Sequence, residues 1–137
     1  MLVAAPAYLA RHGTPRSPEE LDGHRGIFYL HRGVADWRFA HGDGMRVVRG
    51  QPGLVLNNGD MMRDAAIAGL GIALLPRFIA GAALAAGTLQ AIDVGVEAEQ
   101  EHIYIAHADG QHPSAKLRAL AAWLKDAFGD PPYWDAP

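Results

Sequence analysis

The residues best suited to chemistry lie where a short apolar run gives way to a predicted helix. They are Asn57, Asn58, Gly59 and Asp60. Asn58 or Asp60 can cap the first free amides of that helix, and Gly59 allows the backbone to approach a ligand closely. Free amides and the helix dipole favour a carboxylate or another anion. The same residues could simply form the turn and the cap, and the sequence leaves both interpretations open.

A second group of candidates comes from an earlier apolar strand run. In open α/β sheets, ligands bind beyond the carboxyl ends of the strands. If this strand lies in the same sheet, its end faces the same crevice as the Asn57 segment. The candidates on this side are Ile27, Phe28, Tyr29 and His31.

The residue types that catalysis requires are scarce. The only serines are Ser17 and Ser114, neither in a G-x-S-x-G context, and both are predicted to cap helices. There is no cysteine, and the seven histidines form no i, i+4 pair on a predicted helix. The sequence therefore predicts no catalytic residue, no metal site and no cofactor, and a protein that is not an enzyme.

A glycine pair at Gly69 and Gly71 superficially suggests dinucleotide binding. The sixth position of the G-x-G-x-x-G pattern is Leu74, and the segment runs from a helix into a strand. A dinucleotide site needs the reverse order, strand into helix. The glycines are therefore predicted to end a helix and to begin a strand.

Size and charge exclude several classes of protein. The chain has 137 residues, which fits one domain, and its 12 Lys+Arg against 15 Asp+Glu give a net charge of −3. A domain that binds DNA by itself usually carries a basic face, so this chain is not expected to do so. Its first nine residues have no signal-peptide pattern and no apolar run is long enough to span a membrane, which predicts a cytoplasmic location.

The elements that position the candidates alternate between strand and helix. Strand, helix, strand and helix follow one another over residues 54–87 with short joints, which predicts a βαβ unit. A β-hairpin is predicted around Gly42-Asp43-Gly44. A polar loop is predicted over residues 95–101, a strand over 102–106, and an amphipathic helix after Pro113 or Ser114. The apolar face of that helix consists of Leu117, Leu120, Ala121, Leu124 and Phe128.

The order of these segments resembles the effector-binding domain of LysR-type transcriptional regulators. The resemblance is carried by residues 2–15, by residues 18–21 with His24, and above all by the block from Asn57 to Pro76. It continues through residues 84–89 and the final helix.

The resemblance implies an α/β fold of the type 2 periplasmic-binding-protein kind, a Rossmann-like mixed sheet flanked by helices. By this match, residues 1–101 form the second lobe. Residues 102–130 supply a returning strand and helix of the first lobe, and 131–137 form a tail. The chain corresponds to a domain truncated at its N-terminal side, without the helix-turn-helix and the opening half of the first lobe. Part of the effector cleft is therefore expected to be absent, and apolar surface on the final helix is expected to favour self-association.

The resulting hypothesis is a small-molecule sensor that controls transcription. The resemblance implies an effector in the cleft, a homo-oligomer (dimer or tetramer), and contact with DNA only through the missing helix-turn-helix domain. An anionic effector is favoured by the helix N-terminus alone. The alternatives are a solute-binding lobe of a transport-type protein, which an upstream export signal would support, and an enzyme of similar build.

Overall fold

The computed structural model describes residues 1–32, 36–42, 44–99, 103–107, 113–130 and 132–134. The chain divides into two compact units, Met1–Glu99 and Gln100–Pro137. The first unit contains all the candidate site residues. The assignment of the two units to lobes stays a prediction.

The first unit has seven strands and three α-helices in the described residues. Two short 3₁₀ helices, Glu19–Gly23 and Leu30–Arg32, accompany them. In chain order the elements are β1 (Leu2–Ala4), α1 (Pro6–His12), β2 (Arg25–Tyr29), β3 (Asp36–His41), β4 (Gly44–Arg49), β5 (Gln51–Leu56), α2 (Gly59–Ile67), β6 (Ile72–Leu74), α3 (Arg77–Ala85) and β7 (Gln90–Ile92).

Five of these strands form a mixed sheet in the order β5-β2-β6-β1-β7. β2 pairs in parallel with both β5 and β6, whereas β1 is antiparallel to β6 and β7. The predicted strand-helix-strand unit is β5-α2-β6, and its two strands lie on either side of β2. The predicted mixed α/β fold is confirmed.

Both faces of the sheet are covered, because neighbouring residues on each strand point to opposite sides. One face packs against α1, the 3₁₀ helix Glu19–Gly23 and the β3-β4 hairpin; the other packs against α2 and α3. In β2, Phe28 belongs to the first core cluster and Ile27 to the second. Each such side chain stabilises the fold by about 1.5–3 kcal/mol through burial.

The predicted hairpin is present, with β3 and β4 antiparallel, although Asp43 of its turn lies outside the described residues. The segment predicted as a polar loop over 95–101 extends this hairpin in part. Ala40 N–H donates to the Glu97 carbonyl at 2.9 Å, and Glu99 N–H donates to the Arg38 carbonyl at 3.0 Å. The segment forms no helix or strand over 95–99, in agreement with the loop prediction, but Ala98 makes an isolated antiparallel bridge to Phe39 of β3 that the sequence did not predict. Gln100 and Glu101 lie outside the described part.

The predicted cap at Ser17 was wrong. The helical turn after it is the 3₁₀ helix Glu19–Gly23, whose N-cap position is Pro18 with no side-chain cap. The Ser17 hydroxyl instead hydrogen-bonds to the Glu19 carboxylate. The pKa of Glu19 is lowered, first by a backbone hydrogen bond within Glu19 and then by Ser17 and Arg46.

The second unit contains α4 (Ala115–Phe128), which Ser114 caps as predicted by accepting a hydrogen bond from Leu117 N–H at 3.3 Å. No residue of α4 is buried. The predicted strand over 102–106 is not formed in its described residues, 103–106. His102 lies outside the described part. Alternation of apolar residues is a local pattern, whereas a strand also depends on its pairing with a neighbour.

The helices in the described ranges lack the combination of length and apolar character that crossing a bilayer requires.

Candidate functional site

The candidate segments that follow β2 and β5 lie at the carboxyl ends of these two strands, called the carboxyl edge of the sheet. The two strands are parallel, and their register places Tyr29 opposite Leu56. Asn57 follows Leu56 directly, so the Asn57 segment begins beside the end of β2. The chain then crosses β2 through α2 to reach β6. The parallel strands β5, β2 and β6 therefore have their carboxyl ends on this side, the side on which open α/β sheets bind ligands.

Asn58 is the residue that caps α2. Its side-chain oxygen accepts a hydrogen bond from Met61 N–H at 3.1 Å, and its backbone carbonyl accepts one from Met62 N–H at 3.1 Å. Asn58 is extended, with φ −138° and ψ 127°, as an N-cap should be. Asn57 precedes the cap and is exposed. The two asparagines thus differ in role, since only Asn58 is used to begin the helix.

Asp60 lies in the first turn of α2, where its negative charge is favourable. Arg63 Nη1 donates to the Asp60 carboxylate at 2.8 Å, and the same guanidinium binds Asp64 at 2.9 Å. The Asp64 hydrogen bond, first, and the two carboxylate charges raise the pKa of Arg63. One cation therefore faces two carboxylates here, which reduces the attraction of this helix end for an anion.

Gly59 lies against the flexible end of the Ile79 side chain in α3. A Cβ at this position would collide with Cδ1 of Ile79 in α3. The close approach that Gly59 permits in the structure is thus to Ile79. Its φ does not lie in the left-handed region, so space, not backbone conformation, favours glycine here.

The four candidates from the β2 run divide into buried and accessible residues. Ile27 and Phe28 are 0% and 2% exposed. Tyr29 is half-buried and His31 is exposed, and their rings meet edge to face with centroids 5.5 Å apart. The structure therefore brings Tyr29 and His31 to the edge, whereas Ile27 and Phe28 lie beneath it in the two cores. The predicted strand also ends one residue early, because Leu30 begins a 3₁₀ turn.

A second strand-to-helix junction reaches the same edge and was not among the candidates. β6 ends at Leu74, Pro76 takes the N-cap position, and α3 begins at Arg77. Phe78, in the first turn, is 53% exposed. The signal was present in the sequence, since Pro76 marks a helix start after a strand. The edge thus presents the first turns of two helices.

A groove of about 400 Å³ lies elsewhere in the first unit, between the 3₁₀ helix Glu19–Gly23 and β4. It contains none of the candidate residues. The Glu19–Arg46 ion pair spans it. Its lining residues are Pro18, Glu19, Asp22, Arg46, Val47, Val48 and Arg49.

No three His, Asp or Glu side chains within the described ranges come together in a way that could hold a metal ion.

One family model matches this chain over nearly its whole length. The model of the family described as "LysR substrate binding domain" matches residues 1–129. The chain belongs to this family. Its recognition from the Asn57–Pro76 block and the accompanying segments is therefore confirmed.

Individual proteins similar to this LysR substrate-binding domain are also transcriptional regulators. An uncharacterized HTH-type transcriptional regulator of Escherichia coli K12, YhjC, is 32% identical over 124 residues, covering 88% of this chain and 42% of the relative. The HTH-type transcriptional regulator CrgA of Neisseria meningitidis serogroup C is 28% identical over 133 residues, covering 94% and 44%. The solved CrgA regulatory domain from Neisseria meningitidis has a TM-score of 0.71 at 27% identity, covering 93% of this chain and 63% of that one.

Two further facts follow from these comparisons: the fold class, and the share of the relatives' length that this chain covers. The structural likeness to a LysR regulatory domain confirms the predicted periplasmic-binding-protein-like fold class. The LysR substrate-binding domain described here spans less than half of the length of the two relatives, 42% and 44%.

Proposed function

We propose that this chain is the effector-sensing part of a LysR-type transcriptional regulator and that a small molecule binds at the carboxyl edge of β2, β5 and β6. The observation that carries the site is the register of Tyr29 opposite Leu56, which sets Tyr29 and His31 beside the Asn57 segment. Binding there would favour one arrangement of the protein over another, and so bias its contact with DNA.

Within the proposed site, the accessible groups would contact the effector. These are Tyr29, His31, Asn57 and the first turn of α2, including Asn58, Gly59 and Asp60. Ile27 and Phe28 would support the site from beneath, since their side chains are buried. An anionic effector is supported by the helix N-terminus, with the Asp60 and Asp64 carboxylates opposing it.

The wider assignments follow from the relatives. The two curated relatives are named as HTH-type transcriptional regulators, which favours sensing over a transport-type solute-binding lobe or an enzyme. We therefore propose a protein without catalytic activity, working in the cytoplasm as a homo-oligomer. It would contact DNA only through a helix-turn-helix domain outside this chain.

The test of the site uses Asn57 and Asn58 as a matched pair. A panel of small carboxylic acids and their neutral amides would be screened against the chain by thermal shift, and binders measured by calorimetry. Asn57→Ala should weaken binding at least tenfold, about 1.4 kcal/mol, with little change in unfolding temperature. Asp60 is a poorer probe, because Arg63 binds it.

Asn58→Ala is the stability reference: it removes the helix cap and should lower the unfolding temperature, and because Asn58 is also a proposed contact, its affinity should fall as well. Wild-type affinity in Asn57→Ala would argue against the site. The regulatory part is tested on the full-length protein: a binder that leaves its affinity for promoter DNA unchanged would contradict sensing.

A further inference from the structure

One histidine is buried at the end of the sheet opposite to the candidate site. His24 is 7% exposed and immediately precedes β2, at the amino end of that strand. It belongs neither to the core clusters nor to the candidate edge, and the proposed function does not use it. A buried imidazole is costly to charge, so its protonation state matters to the surrounding structure.

A chain of hydrogen bonds connects His24 to α1 through Tyr8. The Arg25 backbone N–H donates to the Tyr8 hydroxyl oxygen at 3.0 Å, and that hydroxyl lies 3.3 Å from Nδ1 of His24. The Tyr8 hydroxyl accepts from Arg25 N–H and has one hydrogen to donate, and we assign that hydrogen to Nδ1 of His24, the ring nitrogen within hydrogen-bond distance. His24 is then neutral, with its own hydrogen on Nε2.

The backbone of His24 holds two further elements. His24 N–H donates to the Leu21 carbonyl at 3.0 Å, and the His24 carbonyl accepts from Gln51 N–H of β5 at 3.0 Å. His24 therefore joins α1, the 3₁₀ helix Glu19–Gly23, β2 and β5 at one point. A change in the conformation of His24 would therefore alter contacts with all four elements.

Charged groups from the neighbouring elements face this cluster. From α1, His12 stacks on the Tyr8 ring with centroids 4.5 Å apart; from the 3₁₀ helix comes Glu20, and from β2 Arg25. Burial, first, and then the charge of His12 lower the pKa of His24 from 6.5, while Glu20 raises it. Burial raises the pKa of Tyr8, because the charged form of a tyrosine is the deprotonated one, so its hydroxyl keeps its hydrogen and remains a donor.

We propose that His24 is an acid-sensitive latch that ties α1 to the start of β2 when neutral and releases α1 when protonated. A protonated ring carries hydrogen on both nitrogens, so the Tyr8 hydrogen loses its acceptor and a charge is placed in a buried site. This device goes beyond the proposed effector site and does not depend on it.

The direction of the pH effect follows from the lowered pKa. The unfolded or opened segment takes up a proton near pH 6.5, more readily than the closed one. The stabilisation by neutral His24 is therefore complete above about pH 6.5 and is lost as the pH falls toward the lower pKa of the closed state. In that pH window, the equilibrium constant for opening of the segment rises by up to tenfold for each unit that the pH falls.

Amide hydrogen exchange of the 137-residue chain between pH 7.5 and 5, corrected for intrinsic rates, tests the latch. Protection of the Gly13 and Arg25 amides should fall by up to tenfold per pH unit below about 6.5. The Gly129 amide, in the second unit, should not follow. In His24→Asn, whose side-chain oxygen can accept the Tyr8 hydrogen but does not titrate, protection should stay constant.

His107→Asn, which removes an exposed histidine outside the cluster, is the matched control and should behave as wild type. Constant protection in the wild-type chain, or an unchanged pH dependence in His24→Asn, would overturn the latch. If His24→Asn does not fold, NMR titration of the wild-type His24 ring is set beside the exchange data: loss of Gly13 and Arg25 protection that follows a midpoint below 6.5 supports the latch, and a midpoint at or above 6.5 refutes it.

Discussion

At the scale of single residues, the two adjacent asparagines differ in what they contribute to the stability of α2. Asn58 satisfies Met61 N–H through its side chain, whereas Asn57 stands one position outside the helix. Asn58→Ala should lower the free energy of unfolding by about 1 kcal/mol, because an orphan amide of α2 loses its acceptor. Urea unfolding of the purified chain measures this difference.

Asn57→Ala serves as the comparison and should stay within about 0.5 kcal/mol of wild type, as exposed substitutions usually do. Equal losses in both variants would show that the side-chain cap is not what begins α2.

Residue type alone predicted caps, but it could not choose among neighbours. Asn58 and Asp60 were both acceptable, and the extended backbone at Asn58 decided for it. Ser114 was predicted correctly since an amphipathic helix follows it at once. The prediction for Ser17 was wrong, because the 3₁₀ helix begins at Glu19 with Pro18 at its N-cap position, and the Ser17 hydroxyl binds Glu19 instead.

At the scale of elements, the closeness of β2 to β6 is set by a glycine. A Cβ on Gly71 would collide with the carbonyl of Arg25, a backbone atom that cannot turn aside. Gly71→Ala should therefore lower the free energy of unfolding by about 1–3 kcal/mol, the usual cost of overpacking. Chemical denaturation gives the value.

Gly81→Ala is the matched substitution within α3, where a Cβ would meet no atom within 4 Å. It should stabilise the chain by up to about 1 kcal/mol through helix propensity. The same sign for both variants would contradict the packing account of Gly71.

Local signals predicted most elements but not how they pair. Proline and glycine marked α1, and the Gly42 region marked the hairpin. The insertion of β2 between β5 and β6 rests on contacts distant in sequence, which no local pattern contains. Residues 103–106 show the same limit, since they alternate as a strand does but form no strand.

At the scale of the whole molecule, the pairing register of β2 and β5 brings the candidate residues of the proposed site together. The sequence placed Tyr29 and Asn57 at the ends of two strands, and the resemblance placed those strands in one sheet. Neither the sequence nor the resemblance distinguished the accessible Tyr29 from the buried Ile27 and Phe28. A continuous apolar run is typical of a strand covered on both faces, and that burial was the available signal.

The apolar face of α4 gives the last expectation, which concerns association between copies. Leu120 is 50% exposed and no residue of the helix is buried, although Leu117, Leu120 and Leu124 share one face. Exposed apolar stripes of this kind favour self-association. Leu120→Lys should therefore raise the dissociation constant at least tenfold in sedimentation experiments over a range of concentrations. Ala122→Lys adds the same charge to the opposite side and should associate like wild type, whereas a chain monomeric at every concentration would refute the association itself.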